Sequence, residues 1–206
     1  MKGKIIKVLW WLFGAFWTLV LIIFILIWHG VIGYMPDVEQ LQNPIDKYAS
    51  VLISDDGVQL GSYAHGSTNR IYVSYDELAE PLVQALVATE DVRFYKHSGV
   101  DIRGVGRAIV KRGMLRNTAS GGGSTITQQL AKQLYSPHAK STLQRLLQKP
   151  IEWVIAIKLE RNYTKEEIIA MYLNQFDFLY NAIGIRSAAQ TYFGTVSYTH
   201  LTLPTT

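Results

Sequence analysis

The chain has 206 residues, no cysteine, a 49% apolar composition and a formal charge of +4. This is enough for one ordinary domain with an appendage, and the missing thiols exclude a disulfide framework, a thiolate metal site and a cysteine nucleophile. The modest charge, without basic residues interleaved with aromatics, excludes nucleic acid as a partner and suits an anionic lipid or phosphate.

The first element is apolar. From Val8 to Trp28 runs VLWWLFGAFWTLVLIIFILIW, 21 residues without a charge. As a helix it is roughly 31 Å long, enough to cross a hydrocarbon core of about 30 Å. It is too long for a signal-peptide apolar region, and HGVIGYMPDVEQ behind it holds no small-residue cleavage site. A retained anchor is therefore predicted over 8–28. Lys2, Lys4 and Lys7 precede it, whereas Asp37, Glu39 and Asp46 follow with a single Lys47. The positive-inside rule puts residues 1–7 in the cytoplasm and the rest outside. Trp10, Trp11 and Trp28 mark the ends of the span, where such rings favour the interface.

Residues 29–47 read as a polar connector containing Pro36 and Pro44. YASVLISDDGVQLGSYAH (48–65) predicts two strands around the turn Asp56-Gly57. Beyond Tyr75 the pattern becomes helical. Pro81 suits a first turn, and Leu82, Ala85, Leu86 and Thr89 share one predicted face. Asp101 caps a helix over 101–117, where Arg103, Arg107, Lys111, Arg112 and Arg116 interleave with apolar residues, a pattern that fits an anionic lipid interface and an ordinary solvated helix face equally. Ser124 is the expected cap of STITQQLAKQL. A long helix over 141–161 meets Pro150, where a kink or a fresh start is expected. TKEE (164–167) forms a capping box, and a last helix covers roughly 183–192. The expected fold is mainly α, with one small N-terminal β-hairpin.

Three stretches could carry chemistry. In ATEDVRFYKHSGVD (88–101), Glu90 ends an apolar helix, where desolvation would favour the protonated form and suit a general base; a solvated helix-end acid is the plainer reading. His97 could be structural or catalytic. In GGGSTITQQLAKQ (121–133), Gly121, Gly122 and Gly123 free the backbone ahead of a helix start, a place that suits a phosphate, although a flexible surface loop with an ordinary Ser cap is the commoner reading. In QKPIEWVIAIKLERN (148–162), a helix restarting at Pro150 would put Glu152 in its first turn, where the dipole favours the carboxylate. Lys149 could then reach a phosphate.

Together and in this order, EDVRFYKHSGVD, GGGSTITQQLAKQ, QKPIEWVIAIKLE, KEEIIAMYLNQ and GIRSAAQTYFG resemble the five motifs of the peptidoglycan glycosyltransferases, the polymerising domains of class A penicillin-binding proteins and their monofunctional relatives. The resemblance implies a lysozyme-like helical domain over 48–195 and an enzyme that polymerises lipid II, the donor and acceptor, into a growing glycan strand. Glu90 matches the family's general base and Glu152 its second essential glutamate. Asp91, Phe94 and His97 fall on the rest of the first motif. Arg107, Ser124, Thr125, Gln128, Gln129, Lys132 and Lys149 fall on positions that line the cleft or meet the pyrophosphate. Asn174 falls on the fourth motif. The resemblance implies no required cofactor and admits a divalent cation, Mg²⁺ or Mn²⁺, at the pyrophosphate. It also implies contact with membrane lipid and other cell-wall synthesis proteins. The location it implies is the bacterial cytoplasmic (inner) membrane, with the catalytic domain on the outer, periplasmic face.

There are departures. Gln148 stands where the family often has arginine. FDFLYNAIGI differs from the commoner glycine-rich version, and VSYTHLTLPTT (196–206) does not resemble the helix that usually follows YFG. The tail reads as a truncated or mis-joined end, with the last helices and any transpeptidase domain beyond it. No Ser-x-x-Lys occurs, so penicillin-type acylation is not expected. Two alternatives remain: a non-catalytic lipid II-binding or scaffold fragment, and a lysozyme-like hydrolase with two carboxylates.

Overall fold

The computed structural model describes residues 2–33, 35–36, 50–57, 59–63, 71–110, 123–136, 142–180 and 182–194. Helix α1 (Lys2–Trp28) is followed by an antiparallel hairpin of β1 (Ser50–Ile53) and β2 (Gln59–Tyr63). Short 3₁₀ turns lie at Tyr75–Glu77 and Phe94–Lys96. The other helices are α2 (Glu80–Glu90), α3 (Ile102–Ile109), α4 (Ile126–Tyr135), α5 (Thr142–Asn162), α6 (Lys165–Gln175) and α7 (Ile185–Phe193). The described chain is mainly helical, as expected. Residues 111–117 of the basic stretch, Gly121, Gly122 and the tail 196–206 lie outside the described residues.

Local signals explain most element ends. Asp56-Gly57 turns the hairpin, with Gly57 at φ 80°. Pro81 sits in the first turn of α2, the Asp101 side chain accepts from Arg103 N, and Thr164 and Glu167 form the reciprocal capping box of α6. Two expectations shift. The cap of α4 is Thr125, whose hydroxyl accepts from Gln128 N, because Ser124 is engaged by a lysine instead. On α2 the buried residue is Val83, helped by half-buried Leu82, Leu86 and Val87, while Ala85 and Thr89 are exposed.

A third expectation fails. Helix α5 runs through Pro150 with no fresh start, so Glu152 lies in mid-helix. Proline removes one helical hydrogen bond at a cost of about 3 kcal/mol or more. Burial beyond the break and charge pairing across it offset this cost: Ile155, Ala156 and Leu159 pack into the core, and cations preceding Pro150 clamp Glu152 after it.

The core lies where α4 packs on α5 and α6. Ile126, Leu130, Ile155, Leu159, Ile168 and Ile169 are all fully buried. Each contributes about 1.5–3 kcal/mol by leaving water. This rigid layer fixes both ends of α4, and the N-terminal end borders the site.

Helix α1 is long and apolar enough to cross a membrane, and its flanks are exposed rather than packed in a core. Its last turns dock on α5. Phe24 stacks on Trp153 at 6.4 Å, Lys158 donates to the Trp28 carbonyl, and Lys158 and Arg161 both lie over the Trp28 ring. Trp28 thus couples the apolar helix to the helix that carries Glu152.

Candidate active site

The site begins where α2 ends, with two neighbouring carboxylates turned opposite ways. Glu90 is exposed, and its Oε2 accepts a hydrogen bond from Gln129 Nε2 at 2.7 Å. Asp91 is buried; its Oδ2 lies 2.9 Å from His97 Nε2 and accepts from Ile126 N at 3.2 Å. A carboxylate at the start of α4 suits the positive end of that helix. Phe94, beneath this loop, is fully buried with the Lys165 ammonium 4.2 Å from its ring centre. The desolvation expected at Glu90 is therefore not found. The helix end is open to water because α2 buries its middle, not its last turn.

Glu90 faces a cleft of about 600 Å³, bounded by the end of α2, by α3 and by the start of α4. Arg93, Asp101, Arg107, Ser124, Thr125 and Gln129 also line it. Two glycines permit this geometry. A Cβ on Gly123 would meet the Ala108 side chain at 3.0 Å and the Gly104 carbonyl at 3.1 Å, so the loop into α4 lies against α3. Gly99 has φ +90°, and a Cβ there would stand 2.8 Å from the Ala156 backbone. Its carbonyl, so placed, accepts from Thr125 Oγ1 at 2.6 Å and Gln128 Nε2 at 3.3 Å, tying the cap of α4 to the first-motif loop.

Glu152 forms the second centre and is fully buried. Its Oε1 pairs with Arg145 Nη1, and its Oε2 lies 2.9 Å from Lys149 Nζ. The Lys149 contact is an ion contact without hydrogen-bond alignment, since Oε2 has no hydrogen-bond partner. Lys149 also donates to Ser124 Oγ at 3.1 Å, so it links Glu152 to the cleft wall. The expected environments of the two glutamates are thus reversed. Charge at Glu152 is balanced by Arg145 and Lys149 rather than by a helix dipole.

Of the residues singled out in the sequence, Glu90, Asp91, Arg107, Ser124, Thr125 and Gln129 come together at the cleft, and Lys149 joins Glu152 to it. Lys132 is exposed on α4, one turn past Gln129, and does not line the cleft. Phe94, His97 and Gln128 support the site from within, whereas Asn174 does not line the cleft. Asn174 is buried and far from solvent: Oδ1 accepts from Val73 N at 2.9 Å, and Nδ2 donates to Val73 O at 2.7 Å and to Ala170 O at 2.8 Å. Asn174→Ala leaves both backbone groups of buried Val73 unpaired. It is expected to cost about 2–4 kcal/mol, read as a lower urea midpoint with an unchanged slope.

Arg93, Arg145 and Tyr172 escape the sequence reading, and Asp101 is read there as a helix cap without its place at the cleft. Arg145 had a signal: it precedes Lys149 by four residues and Glu152 by seven, one helix face. Tyr172 had none; its hydroxyl meets Gln129 Oε1 at 3.1 Å across 43 positions of sequence. Among the described residues no group of three or more His, Asp or Glu side chains is placed to hold a metal ion.

Known proteins extend this picture. The family described as Transglycosylase matches residues 56–205. Penicillin-binding protein 1A/1B of Bacillus subtilis (strain 168) is 40% identical over 167 residues, 81% of this chain and 17% of that protein. Penicillin-binding protein 1F of the same strain is 41% identical over 145 residues, 70% of this chain and 19% of that protein. Penicillin-binding protein 1A of Escherichia coli (strain K12) is 40% identical over 160 residues, 78% of this chain and 18% of that protein. The chain thus spans less than a fifth of the length of these curated relatives.

Proposed function

Since the chain belongs to the transglycosylase family, we propose that its cleft is a peptidoglycan glycosyltransferase site that joins lipid II units into glycan strands. The observation that carries this reading is the open Glu90 carboxylate, held by Gln129 in a cleft whose other walls supply Arg107 and the start of α4. Glu90 takes the proton from the acceptor's sugar hydroxyl. That oxygen attacks the donor's anomeric carbon from the face opposite the leaving group, so the new C–O bond forms with inversion. The bond to the pyrophosphate oxygen breaks, and the polyprenyl pyrophosphate departs with its electron pair.

The leaving group carries the charge that must be stabilised. Arg107 in the cleft and Lys149 at Ser124 are the cations assigned that task, since Arg93, which also lines the cleft, is paired with Asp101; Lys132 lies farther along α4. Helix α1 acts as the membrane anchor, with its lysine-bearing end cytoplasmic and the cleft on the outer, periplasmic face, where the lipid substrate is presented.

The test is to supply labelled lipid II to the whole chain in vesicles. Glycan polymer is expected. Tight binding without polymer would make it a scaffold, and shortening of preformed glycan would make it a hydrolase. In the same assay Lys132→Ala is expected to raise the donor KM about three- to tenfold, as loss of one screened charge contact would, with thermal stability unchanged. Unchanged KM would make Lys132 a solvated surface lysine.

A further inference from the structure

Gln129 has both ends of its amide engaged. Nε2 donates to Glu90 Oε2 at 2.7 Å, and Oε1 accepts from Tyr172 Oη at 3.1 Å. The direction of this chain is fixed by chemistry. A carboxylate only accepts, so the amide must present its nitrogen to Glu90. That leaves the amide oxygen for the phenol, which must donate. Tyr172 is 3% exposed, and its ring packs at 5.4 Å from Phe176, so the hydroxyl has a fixed position. Burial, and secondarily the Glu90 carboxylate, push the phenol up to about 12, so it keeps its proton at any working pH.

We propose that Tyr172 is a positioning residue for the transfer reaction, acting through Gln129 to hold Glu90 as an oriented, ionised base. The inference rests on the proposed function. It also changes the role of Gln129, whose amide is engaged with the base rather than free to meet the pyrophosphate. Without the phenol, the Gln129 amide is held only at its Glu90 end, and its oxygen has lost the donor that fixed the other end. An amide tethered at one end donates to Glu90 with poorer geometry, and a carboxylate that loses part of a donated hydrogen bond is less favoured over its protonated form. Arg93, Arg107, Asp91 and Asp101 also border the cleft. Tyr172→Phe leaves all four in place, so its effect isolates the phenol.

Tyr172→Phe is expected to lower kcat about three- to tenfold, as loss of one neutral hydrogen bond does, with the KM for lipid II unchanged. The acid limb of its kcat/KM profile should move to higher pH. In a Gln129→Met background the same substitution should have no further effect, because the linking amide is gone. A readout independent of turnover uses ¹⁵N-labelled whole chain in detergent. The Gln129 side-chain amide signal, assigned by its loss in Gln129→Met, should shift in both Glu90→Gln and Tyr172→Phe. An amide signal indifferent to Tyr172→Phe would overturn the relay even if the chain makes no polymer. So would additive losses in the double variant, or a loss that follows melting temperature without any change in the pH profile. A wild-type chain that makes no polymer but shows the amide shifts would sink the proposed function and leave the relay standing.

Discussion

Glu90→Gln is expected to abolish polymerisation while lipid II binding and melting temperature stay at wild-type values. Positioned general bases contribute about 10² to 10⁴ in rate, and the amide keeps the size of the acid but cannot take the proton. The substitution is at an exposed helix end, so a stability change within about 0.5 kcal/mol is expected. Its Oε1 can still accept from Gln129 Nε2, which preserves the local geometry. The measurement is initial polymer formation against tritiated or fluorescent lipid II, beside a binding isotherm for the same substrate. A variant retaining a tenth of wild-type turnover would remove Glu90 from the base role. Glu152 would be a poor replacement, since it is fully buried with each oxygen against a cation.

What the sequence makes legible divides along physical lines. Features decided within a few residues can be read directly: the Asp56-Gly57 turn, the Asp101 cap, the Thr164–Glu167 box and the apolar run 8–28 all appear where local chemistry puts them. Ser124 and Thr125 show the limit of that logic. Either hydroxyl can cap α4, and only the distant Lys149 decides by engaging Ser124. Pro150 shows tertiary packing overriding a strong local rule, because the residues beyond it are core and stay helical. The relative burial of Glu90 and Glu152 is not a local property either. It depends on which stretch of α2 and α5 faces α4, and a one-residue rotation of the buried face of α2 is beyond a pattern as short as 11 residues. Recognition of the motifs locates the site without its supports. Arg145 sits outside the quoted motifs, and Tyr172 lies inside one whose role the sequence leaves undefined.

Removing the cations around Glu152 is expected to have the second large effect, this time on stability. A fully buried carboxylate is tolerable only while its charge is matched, and breaking a buried pair from one side costs about 3–5 kcal/mol. Here two cations share the duty, and each is roughly a third exposed, so either loss alone is discounted to about 1–3 kcal/mol. Arg145→Met should fall in that range with Lys149 still in place. Arg145→Met combined with Lys149→Met should approach the full cost, because among the described residues no other cation pairs with the carboxylate. Adding Glu152→Gln to the double variant should recover most of the stability, since the uncompensated charge is gone. Turnover should not recover, because Lys149 no longer bridges Glu152 and Ser124 at the cleft wall. The comparison also bears on Gln148, which occupies the place where arginine is common in the family and whose Oε1 lies 3.4 Å from Arg145 Nη1. Arg145, one turn earlier, would then supply the guanidinium that position 148 lacks. Urea unfolding of the three variants beside wild type at neutral pH decides the matter. An Arg145→Met protein as stable as wild type, or a double variant not rescued by Glu152→Gln, would mean that Glu152 is held by packing alone and that Arg145 is a surface residue with an incidental contact.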